Sequence, residues 1–161
     1  KRIEEFSCLD KTYTGKITIG STTPSYDLET KHNVIYPINH ITNELIISTS
    51  KKFVGKILQK PPIFSAVKKD GVRLYKLARK GIDVKVEKRE IKIHDFKIIS
   101  IDLPEVEFSV TCSKGTYIRS LAHDFGKELG SGAHLSKLRR TSIGNYSVDK
   151  SNKLMNFIRK I

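Results

Sequence analysis

The densest group of chemically capable side chains lies between residues 51 and 89, where thirteen Lys and Arg residues stand against three acidic ones. This stretch supplies +10 of the formal net charge of +13. Because neutralising phosphates releases condensed counterions, such a basic stretch favours a polyanion as its partner. A lysine-rich solvated surface would have the same composition, so charge leaves both interpretations open.

The elements that must position these side chains alternate between strands and helices. Period-2 patterns and β-branched runs predict strands at residues 12–19, 84–101, 105–112 and 141–148, with a hairpin at Pro104. Caps and apolar spacing predict helices at 42–58, 72–80, 116–129 and 151–158. Residues 21–30 read as a loop, 63–67 as a short extended piece, and 133–140 as mixed. The sum is one α+β domain, residues 1–161, with a mostly antiparallel mixed sheet flanked by helices.

Composition narrows the class of protein. Hydrophobic residues make up 38% of the 161, and no apolar run is long enough to span a bilayer. No signal peptide opens the chain, and the two cysteines, Cys8 and Cys112, have neither metal-ligand nor disulfide-framework spacing. We therefore expect a cytoplasmic protein with no membrane or metal partner. Because the sequence begins at Lys1, we also expect a fragment or processed chain.

Four stretches of sequence, taken in their order and spacing, indicate a function more specifically than the charge does. They are Asp10-Lys11-Thr12-Tyr13 with Gly20-Ser21-Thr22-Thr23 and Tyr26-Asp27, Gln59-Lys60-Pro61-Pro62-Ile63-Phe64-Ser65-Ala66-Val67-Lys68 continuing to Gly81, Cys112-Ser113-Lys114-Gly115-Thr116-Tyr117-Ile118-Arg119, and Gly132-Ala133-His134-Leu135 continuing to Gly144. Together they resemble the TruB family of tRNA pseudouridine synthases from end to end of the chain. The run from Lys68 to Tyr75 resembles the bacterial branch more than the guide-RNA branch.

The resemblance implies a reaction. The family converts a uridine in the T loop of tRNA to pseudouridine with no metal and no organic cofactor. An aspartate attacks, and the uracil detaches, rotates and is rejoined through carbon. Because the uridine sits inside a stacked loop, it must first be flipped out at a cost of a few kcal/mol, which phosphate contacts offset.

The resemblance assigns catalytic roles to Tyr13 and Arg119. Tyr13 matches the tyrosine that stacks on the flipped base and whose hydroxyl is a candidate base for the last proton removal. From composition alone, a half-buried strand tyrosine would be the simpler interpretation. Arg119 matches the arginine that holds the catalytic aspartate, a task suited to a guanidinium because it stays charged and can form two parallel hydrogen bonds. A solvated helix-surface arginine is the alternative.

Further positions carry over as substrate-binding residues. Tyr117 would line the same pocket, Leu138 would contact the flipped base, and Asp27 would contact the target nucleotide. An ordinary core leucine and a loop-capping aspartate are the competing interpretations of the last two. We assign His134 no role, since a lone histidine is usually structural or solvated.

Residues 62–85 match an RNA-gripping insertion that the family's descriptions call a thumb. Lys68 would lie nearest the pocket, and the other basic residues would attract the RNA backbone without sequence preference. These backbone-contacting residues are Lys69, Arg73, Lys76, Arg79 and Lys80. Phe64 and Tyr75 could stack on bases, although packing within this thumb-like segment is the favoured interpretation.

The sequence departs from the family at one decisive position. The nucleophile lies in a Gly-x-Leu-Asp motif, and nothing in residues 1–11 fits it; Cys8-Leu9-Asp10 lacks the glycine, so Asp10 is not assigned. We therefore expect this chain alone to be inactive, because no other group can make the covalent intermediate. An unpaired sheet edge would favour self-association or a complementing N-terminal segment. A C-terminal PUA-like RNA-binding domain is also not seen.

Two other functions stay open at this point. The first is a catalytically empty tRNA-binding module or RNA-folding helper, which would have no need of Tyr13 and Arg119 together. The second is a generic basic ribosome-associated protein, which would explain the charge but not the ordered motifs.

Overall fold

The computed structural model describes residues 3–69, 71–82 and 84–151, excluding the side chain of Lys69. Beyond Ser151, the helix predicted for residues 151–158 lies outside the described residues. Asp70 also lies outside them; with Gly71 it forms an Asp-Gly pair, which predicts a turn. Gly71 does adopt a left-handed conformation, with φ of +79°. In the described part of the chain, no helix is long and apolar enough to cross a membrane.

The described residues form ten strands and four α-helices. The strands are β1 (Lys11–Ile19), β2 (Ser21–Thr22), β3 (Val34–Ile35), β4 (Gly55–Gln59), β5 (Lys68–Lys69), β6 (Val72–Arg73), β7 (Arg89–Asp102), β8 (Glu105–Cys112), β9 (Ala133–Ile143) and β10 (Tyr146–Ser147). The helices are α1 (Ile3–Ser7), α2 (Asn43–Lys52), α3 (Leu74–Arg79) and α4 (Ile118–Glu128), and a 3₁₀ turn spans Val148–Lys150.

One six-stranded sheet organises the fold in the order β10-β9-β1-β8-β7-β4. Every neighbouring pair in it is antiparallel, which confirms the predicted α+β class with its antiparallel sheet. Strand β8 has the predicted bounds. Its alternation is strict because Val106, Phe108, Val110 and Cys112 are all buried on one face while the residues between them are not.

Helix α4 covers this apolar face. Leu121, Ala122 and Phe125 of α4 are almost completely buried against Phe108 and Val110 of the sheet. Phe96 of β7 meets Phe108 and Phe125 edge to face, with ring centroids 5.8 and 5.5 Å apart. This layer of helix on sheet fixes where the first turn of α4 lies relative to β1 and β9.

Gly15 allows β1 to approach its neighbours closely. A Cβ built there would overlap the carbonyl oxygen of Lys137 on β9 and would lie 3.0 Å from the Phe108 ring on β8. Gly15 also stands directly opposite Leu138 in the ladder. The residue therefore has to be glycine for reasons of space.

The helix predicted for residues 42–58 is wrong in its second half. Thr42 does cap α2, accepting a hydrogen bond from the Leu45 amide at 3.2 Å, but the helix ends at Lys52. Gly55 follows with φ of +111°, a conformation that L side chains rarely adopt, and turns the chain into β4. Ile57 and Leu58 therefore alternate along an edge strand and do not continue a helical face.

Other boundaries also differ from prediction. Residues 133–140, predicted as mixed, belong to β9, whose register with β1 shifts at two places. The long strand predicted from Val84 begins at Arg89, and the basic helix predicted from Val72 begins at Leu74, since Val72 and Arg73 pair with β5. The predicted loop 21–30 includes β2, and residues 63–67 form bends and not a strand.

Candidate active site

Arg119 lies in the first turn of α4 and is held on three sides. Its Nη1 donates to the Asp27 carboxylate at 3.0 Å and to the Ser25 carbonyl at 3.4 Å. Its Nη2 donates to the Phe64 carbonyl at 2.9 Å. The Arg119 and Asp27 side chains are only 23% and 26% exposed, so the ion pair is partly shielded from solvent. The interpretation of Arg119 as a solvated surface arginine is wrong.

Asp27 is oriented by its own loop. Its Oδ1 accepts hydrogen bonds from the Ser25 hydroxyl at 2.7 Å and the Glu29 amide at 2.9 Å, which leaves Oδ2 for Arg119. Tyr26, the preceding residue, has φ of +65°, and its carbonyl accepts from the Leu135 amide at 2.9 Å. Asp27 thus caps the loop, as one of the two interpretations held, and also pairs with Arg119, which the sequence did not predict.

Arg119, Asp27 and Leu138 line one open cleft of about 410 Å³. Leu135 and Lys137 of β9 complete its sheet side. Leu138 is 43% exposed, so it is not a core leucine; with Leu28 and Leu135 its side chain forms the apolar part of the cleft. The cleft combines a fixed cation, a carboxylate and an apolar surface.

Tyr13 stands on the same face of the sheet as Leu138, one alternation away along β1. It pairs with Val110 on one side and Arg140 on the other, and it packs against the core that α4 covers. Burial, followed by the nearby Cys112, raises the pKa of its hydroxyl, and a hydrogen bond from Arg140 offsets only part of the rise. The phenol therefore stays neutral at physiological pH. Tyr13 does not line the Arg119 cleft itself.

Tyr117 forms the N-terminal boundary of α4 without a side-chain cap of its own. Its backbone is held by Gln59, whose side chain is 2% exposed and bonds both the amide and the carbonyl of Tyr117. Sequence reasoning missed Gln59. A polar residue at the end of an alternating run, directly before Lys-Pro-Pro, was the signal that could have found it.

His134 is buried and structural. It is 1% exposed, and its Nδ1 lies 3.1 Å from the Ser21 carbonyl and 3.4 Å from the Ser21 hydroxyl. Burial lowers its pKa. These contacts join β9 to β2, and β2 leads into the loop that carries Asp27.

The thumb-like segment, residues 62–85, carries its basic side chains outward. Lys68, Arg73, Lys76 and Lys80 are exposed, while Arg79 pairs with Glu29 at 3.1 Å and lies over the Tyr75 ring. Lys68 lines a cavity of about 160 Å³ within this part of the molecule and is not brought to the Arg119 cleft. Lys69 belongs to β5, but its side chain lies outside the described residues.

A second, larger cavity of about 540 Å³ adjoins the Asp27 loop. Tyr26 and His123 line it as a stacked pair, with centroids 3.9 Å apart. Burial, followed by the charge of Lys127, lowers the pKa of His123 to about 4. Burial raises the pKa of Asp124, and the charges of Lys127 and Lys88 offset only part of this rise. Four lysines that the sequence did not single out as a group surround this cavity: Lys52, Lys60, Lys88 and Lys127.

Two family models match the chain. One is described as TruB family pseudouridylate synthase, N-terminal domain, and matches residues 1–118. The other is described as tRNA pseudouridylate synthase B C-terminal domain and matches residues 119–159. The two matches meet at the start of α4, between Ile118 and Arg119.

Curated relatives carry the name tRNA pseudouridine synthase B. The relative from Flavobacterium johnsoniae is 58% identical over 148 residues, covering 92% of this chain and 65% of its own length. The relative from Parabacteroides distasonis is 50% identical over 149 residues, covering 92% and 63%. This chain thus spans just under two thirds of the length of these two relatives.

Solved structures agree on the fold. A Cbf5-Nop10-Gar1 complex matches with a TM-score of 0.62 and 29% identity over 89% of this chain and 34% of that one. An archaeal box H/ACA sRNP Nop10-Cbf5 complex matches with a TM-score of 0.61 at 24% identity, over 93% and 33%, and supports the fold alone.

Proposed function

Since the chain belongs to the TruB family of pseudouridylate synthases, we propose that, together with a catalytic aspartate from outside residues 1–161, it converts a uridine of tRNA to pseudouridine, as the names of its curated relatives suggest. We further propose that this uridine lies in the T loop. The observation that carries the proposal is Arg119, fixed by Asp27 in a cleft with Leu138, on the sheet face that also presents Tyr13. The proposed reaction uses no metal and no organic cofactor. Because tRNA is the proposed substrate, we place the reaction in the cytoplasm.

The reaction exchanges one glycosidic bond for another. The bond from the ribose C1′ to uracil N1 breaks, C1′ bonds to C5, and the proton leaves C5 while N1 gains one. The family's nucleophile is an aspartate, and we assign none of residues 1–161 to that role. We propose that an aspartate from outside these residues docks on Arg119, whose charge keeps a carboxylate ionised and oriented.

Arg119 is prepared for that task by its existing contacts. The Phe64 carbonyl holds Nη2 and the Asp27 carboxylate holds Nη1, so the guanidinium plane is set before substrate arrives. Preorganised charge of this kind needs no rearrangement when the reaction begins. Asp27, beside it, is placed to contact the target nucleotide.

Tyr13 and Leu138 form the proposed base-contacting surface. Leu138 offers an exposed apolar side chain, and Tyr13 offers an aromatic ring on the same face of the sheet. The raised pKa of Tyr13 favours stacking and hydrogen-bond donation over action as a strong base. We propose that Tyr117, which directly precedes α4, forms one side of the same pocket.

The thumb-like segment is proposed to grip the T stem-loop backbone. Exposed basic side chains bind phosphates without reading sequence, and this suits a segment that must hold many tRNAs. In this proposal residues 1–161 form one catalytic domain, and residues 62–85 are its RNA-binding insertion. The residues that would hold the backbone are Lys68, Lys69, Arg73, Lys76, Arg79 and Lys80.

A chimera tests the function. This chain would replace the matching part of the Flavobacterium johnsoniae relative, so that the remaining 35% of that protein is retained. We expect tritium release from tRNA labelled at uridine C5. A chimera that folds and binds tRNA but releases no tritium would overturn the enzyme proposal and favour the non-catalytic tRNA-binding module. The Arg119→Ala chimera is the matched control, since it should bind tRNA but fail to release tritium.

A further inference from the structure

Gln59 is a buried polar side chain with an unusual pair of partners. Its Oε1 accepts a hydrogen bond from the Tyr117 amide at 2.8 Å, and its Nε2 donates to the Tyr117 carbonyl at 3.0 Å. Both backbone groups of one residue are therefore held by one amide side chain. With only 2% of Gln59 exposed, water does not compete for these bonds.

The residue that Gln59 holds begins the helix of Arg119. The first amides of an α-helix lack partners within the helix, and capping side chains usually supply them. Tyr117 has no such side chain, and α4 has no acidic residue in its first turn. Gln59 on a neighbouring strand thus sets the direction in which α4 leaves the sheet.

Two further hydrogen bonds join the same pair of segments. The Ser120 hydroxyl donates to the Lys60 carbonyl at 2.7 Å, and the Arg119 Nη2 donates to the Phe64 carbonyl at 2.9 Å. Residues 59–64 therefore bond to Tyr117, which precedes α4, and to Arg119 and Ser120 in its first turn. The thumb-like segment begins inside this contact, at Pro62.

Helix α3 of the thumb-like segment is hydrogen-bonded to the residues that directly follow 59–64. The Tyr75 amide donates to the Ser65 carbonyl at 3.0 Å, and the Leu74 amide donates to the Val67 carbonyl at 2.8 Å. A displacement of α3 would thus reach the Phe64 carbonyl through two short backbone connections. Gln59 lies at the fixed end of this path.

We propose that Gln59 is a positioning residue of the reaction: by holding the Tyr117 backbone, it fixes Arg119 in its catalytic orientation while the thumb-like segment engages RNA. This inference rests on the proposed function. Gln59 does not touch the Arg119 cleft and acts through Tyr117. Geometry errors of about 1 Å can lower an enzymatic rate about 100-fold, so a clamp on this backbone has a measurable effect on rate.

The test is Gln59→Met in the chimera described above. Methionine keeps the length of the side chain and removes both hydrogen bonds. Val106→Ala is the control, since Val106 is fully buried near the start of β8, between Ile17 and Ile101 in the sheet, so its truncation lowers stability without removing a hydrogen bond to Tyr117. For each variant, the single-turnover rate of tritium release, the Kd for tRNA and the Tm are measured, at a temperature where both variants are folded.

We expect Gln59→Met to lower the single-turnover rate about 10- to 100-fold while the Kd for tRNA changes less than about threefold. Val106→Ala, at a comparable loss of Tm, should keep its rate. Equal rates for the two variants would show that Gln59 serves stability only. A weaker Kd with an unchanged rate would place its effect on RNA binding and would also overturn the inference.

Hydrogen exchange separates this inference from the proposed function. In Gln59→Met the Tyr117 amide should exchange faster than in Val106→Ala, because its acceptor has been removed. If the parent chimera released no tritium, the proposed function would fail, yet this exchange measurement would still support the clamp or overturn it. Unchanged protection of the Tyr117 amide would overturn it in either case.

Discussion

Helices α3 and α4 carry the two kinds of residue that the proposed function needs, and they are built differently. Six of the eleven residues of α4 are buried, whereas α3 buries Leu74 alone among its six. Arg119 on α4 has three protein partners, while Lys76 on α3 is exposed. A catalytic charge requires a fixed position, but a charge that attracts phosphates only has to be present.

The difference also explains what each region can tolerate. Changing the geometry around Arg119 should affect the rate, and changing charges on the thumb-like segment should affect binding. Each prediction below separates rate from binding, beginning with the largest expected effect.

Arg119→Lys should lower tritium release by the chimera about 1,000-fold, because an ammonium cannot keep the contacts to Asp27, Ser25 and Phe64 together. The Kd for tRNA should change little. Arg139→Lys is the matched control, since Arg139 is exposed and lies opposite Thr14 on the other face of the sheet. Near-normal activity in Arg119→Lys would contradict the division between the two helices.

Asp27→Asn should lower the rate about 10- to 100-fold. The amide oxygen can still accept from Ser25 and Glu29, so the loop is kept, but the charge facing Arg119 is lost. Single-turnover tritium release and the Tm are the measurements. A large loss of Tm with a proportionate loss of tRNA binding would show that Asp27 serves the loop only.

Lys69→Glu combined with Lys76→Glu should weaken tRNA binding about tenfold or more and reduce the slope of log Kd against log salt by about one per residue. The rate at saturating tRNA should stay near normal. Lys97→Glu is the control; it makes half of that charge change, on β7 outside the thumb-like segment. An unchanged salt slope in the double variant would count against assigning residues 62–85 to RNA binding.

Acidification should destabilise the α4 scaffold through His123. Its pKa is about 4 in the folded protein against an ordinary 6.5, so the unfolded chain binds more protons between these values and stability falls as pH drops from 6.5 to 4. Asp124, whose pKa is raised, acts in the opposite direction at the acidic end. We expect a net loss of about 1 kcal/mol, measured by urea unfolding, that His123→Gln abolishes. An equal pH dependence in His123→Gln would exclude this cause.

Local sequence patterns predicted an element correctly where the tertiary packing of its side chains agrees with the pattern. Strand β8 was located to the residue because every second side chain enters the core, and the cap at Thr42 marked the start of α2 correctly. The end of α2 was missed because Ile57 and Leu58 fit a helical period as well as a strand, and only the positive φ of Gly55 decides between them.

Three of the six predicted catalytic and substrate-binding residues meet in one cleft, but the contacts that hold them there were not predicted. Motif positions singled out Arg119, Asp27 and Leu138, and the structure brings these three to one cleft. That Asp27 pairs with Arg119, 92 residues away, depends on the left-handed turn at Tyr26, which no pattern of residue types indicates. Gln59 was missed although it ends an alternating run, because its partner is a backbone and not a side chain.

Gly15 makes the spacing between β1 and β9 sensitive to a single substitution. Any side chain there would push β9 away from β1 and carry Leu138 with it, so even alanine should be rejected in a library screened for pseudouridine formation. The neighbouring Thr14 and Lys16, on the opposite face, should accept many replacements in the same screen. The narrowest tolerance in this part of the chain would thus belong to the residue with no side chain.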